Sequence, residues 1–362
     1  MRNSVTAYIG LGSNLGDREA HIRSALELLS RSEAVEVSGV SRLVETRPLA
    51  QAKQPSYINA VARIQTTLPA GDVLGLLNSV EKKLGRVRKE KWASRVIDLD
   101  LLLFGEEVIQ QPALTVPHPQ MHLRSFVLRG LCELDAKLIH PLMNVTVEEL
   151  AARLNGRDFV LEPGQAQLIS VAGVIGVGKT TVARKLAELL DCRVILEEYD
   201  KNPFLPQVYE GRKELALDSQ LFFLTSRVAQ LSKEALGPAQ LAVTDYLFEK
   251  ELIYAEALLD GRQLQLYRNV YRYLENRVVR PVVVIYLQDT VENCLERVRR
   301  RNRPYEQRVK ADFLEQLHRR YDKMLADWQA CPVIRLRMSR FDCMKPDDMA
   351  HLAKQVRSYV AV

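Results

Sequence analysis

Three groups of residues have types and spacings that could do chemistry. The first is Gly173-Val-Ile-Gly176-Val-Gly178-Lys179-Thr180, which fits the pattern G-x-x-x-x-G-K-[ST] in full. Its glycines let backbone N–H groups curl around phosphate oxygens, and a following helix adds the positive end of its dipole. Lys179 would reach the β- and γ-phosphates, and Thr180 would hold Mg²⁺. An apolar run at 168–172 precedes the loop and a helical run at 181–190 follows it. That strand–loop–helix order is what the mechanism requires. No N-K-x-D tetrad follows, which argues against a guanine-specific switch.

The second group is Asp98-Leu99-Asp100. On a strand both carboxylates point to one face, and Leu99, Leu101 and Leu103 point into a core. Arg86, Arg88, Lys89, Lys91 and Arg95 precede the pair, and His118 and Arg124 follow it. Two carboxylates among so many cations suit Mg²⁺ with a polyphosphate, although an isolated pair would equally fit a solvated strand face. The third group lies downstream of the glycine-rich loop. Glu197 ends an apolar run, where a carboxylate can take the proton of an acceptor hydroxyl. Asp245 ends the run 241–244, a position suited to supporting Mg²⁺. Arg297-Val-Arg-Arg-Arg301-Asn-Arg303 reads as a helix running into a lid that stabilises charge on a transferred phosphoryl group, or as a solvated basic helix.

These groups need two scaffolds. A phosphate loop usually follows the first strand of its domain, yet about 165 residues precede this one. At 362 residues the chain is also long for one core. Hydrophobic periodicity upstream gives strands at 5–10, 35–44, 57–67 and 96–104, and helices at 17–31 and 70–84. That β-α-β-β-α-β order is the ferredoxin-like α+β arrangement. A further helix is expected around 125–134. Thr146-Val-Glu-Glu149 opens a short helix with a capping box, and Asn155-Gly156 stops it. The first domain is therefore expected over 1–158, a linker over 159–166, and the second domain over 167–362. In the second, strands at 168–172, 193–196, 241–244, 282–287 and 333–336 alternate with helices. The pattern is an α/β fold with a mostly parallel sheet and its ligand at the carboxyl ends of the strands.

Composition narrows the class. Hydrophobic content of 47% and charged content of 27% are ordinary for a globular chain, and no apolar run is long enough to span a membrane. Met1-Arg-Asn-Ser-Val-Thr-Ala lacks the apolar core of a signal peptide, so a cytoplasmic location is expected. The five cysteines are scattered without C-x-x-C spacing and read as reduced thiols. The net charge of +6 is concentrated at 86–95 and 297–308, without interleaved stacking aromatics. Anionic small substrates are favoured over nucleic acid as partners, although RNA binding through 297–308 remains a reading of that run.

The upstream segment resembles 6-hydroxymethyl-7,8-dihydropterin pyrophosphokinase, an enzyme family of the folate pathway. The resemblance spans residues 5–155. It rests on Tyr8-Ile-Gly-Leu-Gly-Ser-Asn-Leu-Gly16, Thr46-Arg-Pro-Leu49, Tyr57-Ile-Asn59, Glu81 with Gly85-Arg-Val-Arg88, Arg95-Val-Ile-Asp-Leu-Asp100 and Leu114-Thr-Val-Pro-His118. It implies transfer of the β,γ-diphosphate of ATP to the pterin hydroxymethyl group, release of AMP, and two Mg²⁺ ions. By the same resemblance Asp98 and Asp100 are metal ligands. Asn59 and Thr46 bond the pterin, and Tyr57 and Phe126 sandwich its ring. Glu81, Arg86, Arg95, His118 and Arg124 contact ATP, and Trp92 belongs to a loop that closes over the substrates. Ser94 departs from the proline that the family often has there.

The downstream segment, 167–330, is similar to the deoxynucleoside kinase family. Beyond the glycine-rich loop, the similarity rests on Glu197-Glu-Tyr-Asp-Lys-Asn-Pro-Phe204, Tyr209, Gln220-Leu-Phe-Phe-Leu-Thr-Ser-Arg227 and Arg301-Asn-Arg303-Pro-Tyr-Glu306. It implies that Gly173, Gly176, Gly178, Lys179, Thr180 and Thr181 bind ATP, with one Mg²⁺ on Thr180 and Asp245. It makes Glu197 the general base, Gln220 the partner of the nucleobase edge, Tyr209 and Glu306 the partners of the sugar 3′-hydroxyl, and Arg301 and Arg303 the lid arginines. One departure matters. The family commonly places arginine and serine after the acidic residue at the third strand's end, whereas this chain has Asp245-Tyr246-Leu247. A nucleotide-sensing module, or a kinase of another small hydroxyl substrate, therefore stays open beside the deoxynucleoside kinase reading. Both folds often self-associate, so a homodimer is compatible with either.

Overall fold

The computed structural model describes residues 4–49, 54–86 and 94–361, apart from the Tyr305 side chain. The chain divides into two compact units, Met1–Val160 and Leu161–Val362.

The first unit runs β1 (Val5–Ser13), α1 (Arg18–Ser30), β2 (Val35–Val40), β3 (Val44–Thr46), β4 (Tyr57–Thr66), α2 (Ala70–Lys83) and β5 (Asp98–Phe104). Two short hairpins follow, β6 (Ile109–Gln111) with β7 (Leu114–Val116) and β8 (Ile139–His140) with β9 (Val145–Thr146). Helices α3 (Ser125–Asp135) and α4 (Val147–Leu154) complete it. The main sheet is antiparallel in the order β2-β4-β1-β5, with β3 also pairing on β4. Strand alternation gives the sheet two apolar faces. Ala7, Ile9 and Leu11 pack with Ile22 and Leu29 of α1 and Val73 and Leu77 of α2. Tyr8 and Val61 point the other way, onto Val127, Leu131 and Leu150 of α3 and α4. Helix ends follow the sequence signals: Asp17 caps α1, and Thr146 with Glu149 forms both bonds of the capping box.

Two local expectations are corrected. The single strand expected over 35–44 is broken into β2 and β3. The Ser41 hydroxyl accepts the Val61 N–H, and Glu133 takes the Arg42 N–H, so side chains replace ladder bonds at the break. Leu103 does not share a core with Leu99 and Leu101. The register of β1 on β5 shifts between Tyr8 and Ile9, leaving Leu102 as an extra residue. This bulge turns Leu102 and Leu103 toward α3 and α4. It lies beyond the acidic pair, so Asp98 and Asp100 keep one face.

The second unit contains β10 (Gln167–Ala172), α5 (Lys179–Leu190), β11 (Arg193–Ile195), α6 (Leu205–Tyr209), α7 (Ala216–Leu231), α8 (Lys233–Leu236) and β12 (Leu241–Thr244). It continues with α9 (Lys250–Leu258), α10 (Gly261–Leu274), β13 (Pro281–Gln288), α11 (Val291–Arg301), α12 (Ala311–Ala326), β14 (Val333–Arg337) and α13 (Pro346–Arg357). All five strands are parallel, in the order β11-β12-β10-β13-β14, and each overlaps an expected strand. Central β10 is buried at every position, as a strand covered on both faces must be. Its carboxyl end delivers the glycine-rich loop, and the neighbouring ends of β11 and β12 deliver Glu197 and Asp245. Among the described residues, no helix is long and apolar enough to cross a membrane, and all five cysteines are free.

Candidate active sites

In the first unit a cavity of about 260 Å³ opens over the carboxylate face of β5. Tyr57 and Phe126 both line it, as do Thr46 and Asn59. The Asn59 amide donates to the Thr46 hydroxyl at 2.8 Å, which fixes which end of the amide faces the cavity. Gly12 lies directly across the ladder from Asn59, and a Cβ there would sit 3.0 Å from the Asn59 carbonyl oxygen. Burial raises the Tyr57 phenol above its ordinary value, so it stays neutral.

The cations converge on the acidic pair. Arg86 and Arg95 each reach one Asp98 oxygen at 2.7 Å. Arg124 lies 3.5 Å and His118 Nε2 4.0 Å from an Asp100 oxygen. The Gln120 N–H donates to His118 Nδ1, which leaves the His118 proton on the side of Asp100. Burial holds the His118 pKa below its ordinary value against the pull of Asp100. Arg124 Nε is buried without a hydrogen-bond partner among the described residues, a donor suited to an anion. The loop before β5 is pinned by Asn14, whose backbone and side chain bond the Arg95 carbonyl and N–H. Glu81 stands apart from the cavity wall. It is buried and accepts from Arg86 and from the Leu99 N–H, so it ties α2 to β5 and braces Arg86. Trp92 lies outside the described residues, with Arg88, Lys89 and Lys91.

The donor set fits a hard cation. Asp98 and Asp100 offer carboxylate oxygens from one strand face, and no third His, Cys, Asp or Glu among the described residues joins them. Mg²⁺ commonly takes one or two carboxylates and completes its shell with water and phosphate.

In the second unit a cavity of about 310 Å³ lies at the carboxyl edge of the sheet. Gly173, Gly176 and Gly178 all have positive φ, and α5 begins at Lys179 with Gly178 as its N-cap. Lys179 Nζ donates to the Val174 carbonyl at 2.8 Å, and its burial lowers its pKa against the pull of Glu197 and Asp245. The Thr180 hydroxyl donates to Asp245 Oδ2 at 2.6 Å, placing two oxygen ligands suited to Mg²⁺ side by side. Thr181 is exposed on the same turn. A Cβ on Gly176 would lie 2.3 Å from the Cys294 carbonyl oxygen, and its φ of 81° is one that L side chains rarely adopt. Gly176→Ala is therefore expected to destabilise the second unit by about 3 kcal/mol and to weaken ATP binding. A thermal melt with and without ATP checks both.

Gln220, Tyr209 and Glu306 line the same cavity, as do Arg301 and Arg303. Glu306 accepts from Arg301 at 2.5 Å and from Arg303 at 3.3 Å, and Arg303 also stacks on Tyr199. The first arginine of the basic run has a different role. Arg297 bonds Asp289 at 2.5 Å and the Gly176 carbonyl at 3.3 Å, so it anchors α11 to the glycine-rich loop.

Around Glu197 the structure assembles Arg227, Lys250 and Glu251, to which sequence reasoning gave no role. Its backbone N–H donates to Asp245 Oδ1 at 2.8 Å. Its carboxylate accepts from Lys250 of α9 and from Arg227 of α7. Arg227 also pairs with buried Glu251, which accepts the Tyr267 hydroxyl. Burial alone would raise the Glu197 pKa, but Lys250 and Arg227 more than offset it and hold it well below the usual carboxylate range. Tyr246, directly after Asp245, is fully buried with its hydroxyl on Gln230 at 2.6 Å.

Each unit thus joins clustered cations, carboxylates on a strand end or face, and a cavity of substrate size, the makings of an enzyme that transfers phosphorus groups. Residues 8–136 match the family described as 7,8-dihydro-6-hydroxymethylpterin-pyrophosphokinase, and residues 169–361 match the deoxynucleoside kinase family. A 2-amino-4-hydroxy-6-hydroxymethyldihydropteridine pyrophosphokinase of Haemophilus influenzae is 40% identical over 144 residues, 40% of this chain and 90% of its own. One of Bacillus subtilis is 44% identical over 128 residues, 35% of this chain and 77% of its own. A solved deoxyadenosine kinase from M. mycoides with bound dATP is 21% identical, with a TM-score of 0.45, covering 51% of this chain and 96% of that one. The chain belongs to both families, with a pterin pyrophosphokinase domain followed by a deoxynucleoside kinase domain.

Proposed function

We propose that the protein carries out two ATP-dependent transfers. The first domain moves the β,γ-diphosphate of ATP to the hydroxymethyl group of 6-hydroxymethyl-7,8-dihydropterin. The substrate hydroxyl releases its proton to solvent, its oxygen bonds to the β-phosphorus, the bond from the β-phosphorus to the oxygen bridging it to the α-phosphate breaks, and AMP leaves with that electron pair. The observation that carries this reading is the convergence of Arg86, Arg95, His118 and Arg124 on Asp98 and Asp100 beside a slot lined by Tyr57 and Phe126. A flat polar heterocycle calls for two aromatic faces and an amide at its edge, which Asn59 and Thr46 provide. Diphosphoryl transfer calls for positioning and charge neutralisation more than for a covalent nucleophile. Asp98 and Asp100 would hold two Mg²⁺ ions, and Thr180 with Asp245 would hold one. The ions neutralise phosphate oxygens when bound. Glu81 acts through Arg86 as a positioning residue.

The second domain moves the γ-phosphoryl group of ATP to a deoxynucleoside hydroxyl. Glu197 takes the hydroxyl proton, Lys179 with Arg301 and Arg303 meets the phosphates, and Gln220 reads the base edge. Tyr209 and Glu306 hold the sugar. The shared cavity that brings Lys179, Glu197, Gln220 and Arg301 together supports this reading.

Two product assays test the pair. Purified protein with ATP is expected to form AMP only when the hydroxymethyl-dihydropterin is added, and ADP without AMP would sink the first reading. With γ-labelled ATP and each of the four deoxynucleosides, at least one labelled monophosphate is expected. Absence of label from all four would leave the second domain as a nucleotide-sensing module or a kinase of another hydroxyl substrate.

A further inference from the structure

Lys250 opens α9, five residues beyond Asp245, and only 5% of it is exposed. A lysine that deep requires a partner, and Glu197 provides both of its oxygens, at 2.8 and 2.7 Å from Nζ. The ammonium also lies 5.1 Å from the centroid of the Tyr254 ring, one turn along α9. Lys250, Tyr254 and Glu197 all line the cavity that holds Lys179 and Gln220. The two cations on Glu197 are not equivalent. Arg227 is shared between Glu197 and Glu251 and packs over the Phe223 and Tyr246 rings, so its guanidinium is fixed in the wall. Lys250 gives two of its three N–H donors to Glu197. The remaining donor can meet an oxygen brought in beside that carboxylate.

Tyr246 cannot serve in this way, because its ring is in the core and its hydroxyl is on Gln230. The next turn of the chain returns Lys250 to the cavity instead. We infer that Lys250 is the positioning residue of the second domain's phosphoryl transfer, clamping the Glu197 carboxylate toward the acceptor hydroxyl in place of a cation directly after Asp245. The inference rests on the kinase reading of that domain. In the step itself the acceptor O–H gives its proton to Glu197, and its oxygen forms the bond to the γ-phosphorus. The bond from the γ-phosphorus to the β-phosphate oxygen breaks, and ADP leaves with that electron pair. Lys250 transfers nothing. It fixes the direction of the accepting oxygen, and a lysine suits this because it can release one carboxylate oxygen to the substrate while keeping the other.

The test compares Lys250→Met, Lys250→Arg and Lys250→Ala in the full chain, with γ-labelled ATP and the deoxynucleoside that the wild type uses best. Lys250→Met is expected to lower kcat by roughly 100-fold with KM for the nucleoside within about threefold, and Lys250→Arg to recover to within about tenfold of wild type. Propylammonium is expected to restore turnover to Lys250→Ala, whereas propanol, of the same shape but neutral, is not. Chemical rescue of Lys250→Ala keeps the inference decidable if Lys250→Met fails to fold. Wild-type kcat in Lys250→Met, a KM rise that accounts for the whole loss, or equal rescue by propanol would each overturn it. A wild-type enzyme that labels no deoxynucleoside would overturn the deoxynucleoside kinase reading, and with it this inference.

Discussion

Asp98→Asn is expected to lower pterin-dependent AMP formation by about 1,000-fold while leaving the fold of the first domain in place. The substitution keeps the shape of the side chain and removes one negative charge. In the free protein that charge is matched by Arg86 and Arg95, each at 2.7 Å. Arg86 keeps Glu81 as a partner after the change, and the side chains of Arg95 and Asp98 are both partly exposed. The stability cost should therefore stay near 1 kcal/mol. The loss of rate has another source. A neutral amide is a poor ligand for a hard divalent cation, so one metal position loses its charge anchor. Affinity for ATP without metal should move the opposite way. Three arginines then face a tetra-anion with one fewer competing carboxylate, so metal-free ATP should bind as tightly as in the wild type or more tightly. AMP assays across a magnesium series, paired with calorimetry of metal-free ATP, read the two effects separately. A parallel loss of ATP binding in the absence of metal would show that Asp98 serves the fold of the cavity rather than the ion.

The elements that carry these residues were legible because their signals are local. Alternating residues mark β4 and the start of β5, an apolar run marks β1, and the continuous apolar run of β10 marks a strand buried on both faces. The glycines at 173, 176 and 178 announce positive φ, and all three adopt it. What escaped the sequence depends on long-range contact. Nothing in Ser41 states that its hydroxyl replaces a ladder bond to Val61, and Leu102 looks like any other apolar residue of β5 until the pairing with β1 shows the bulge. Glu81 is picked out by the resemblance, yet nothing local states that it is buried against the Leu99 N–H. The network about Glu197 is the clearest case. Arg227 is 30 residues away and Lys250 is 53 away. In Leu247-Phe-Glu-Lys-Glu-Leu-Ile253 the charged residues look like a solvated helix face, and only the packing of α9 on α7, α10 and α12 makes Lys250 and Glu251 interior. The apparent loss of an arginine at Tyr246 followed from reading the motif position by position, whereas the fold supplies cations there from two other helices.

Glu197→Gln is expected to reduce phosphoryl transfer by at least about 100-fold, and its stability should carry a pH signature that tests the buried network directly. The rate falls because an amide cannot take the acceptor proton. Stability falls because Lys250 loses the one charge that faces it and one of its two acceptor oxygens, and an uncompensated buried cation costs about 3–5 kcal/mol. Arg227 suffers less, since Glu251 remains its partner. Lys250 has an escape that arginine lacks, which is to give up its proton. Burial already brings its pKa down to about 7, against the upward pull of Glu197. Removing the Glu197 charge must lower it further. The sign follows from proton counts. Wherever the unfolded chain holds the lysine proton and the folded chain does not, stability rises with pH. In the wild type that window opens near pH 7 and closes near the ordinary lysine value. In Glu197→Gln it opens below pH 7. Raising the pH from 6 to 8 should therefore raise the melting temperature of the second domain more in the variant than in the wild type. Adding Lys250→Met to Glu197→Gln should remove that extra slope and recover part of the stability, because no buried cation is then left unpaired, while phosphoryl transfer stays lost. Melting curves of the three proteins at pH 6, 7 and 8 decide the matter. An unchanged slope in Glu197→Gln would mean that Lys250 finds another partner when the carboxylate is gone.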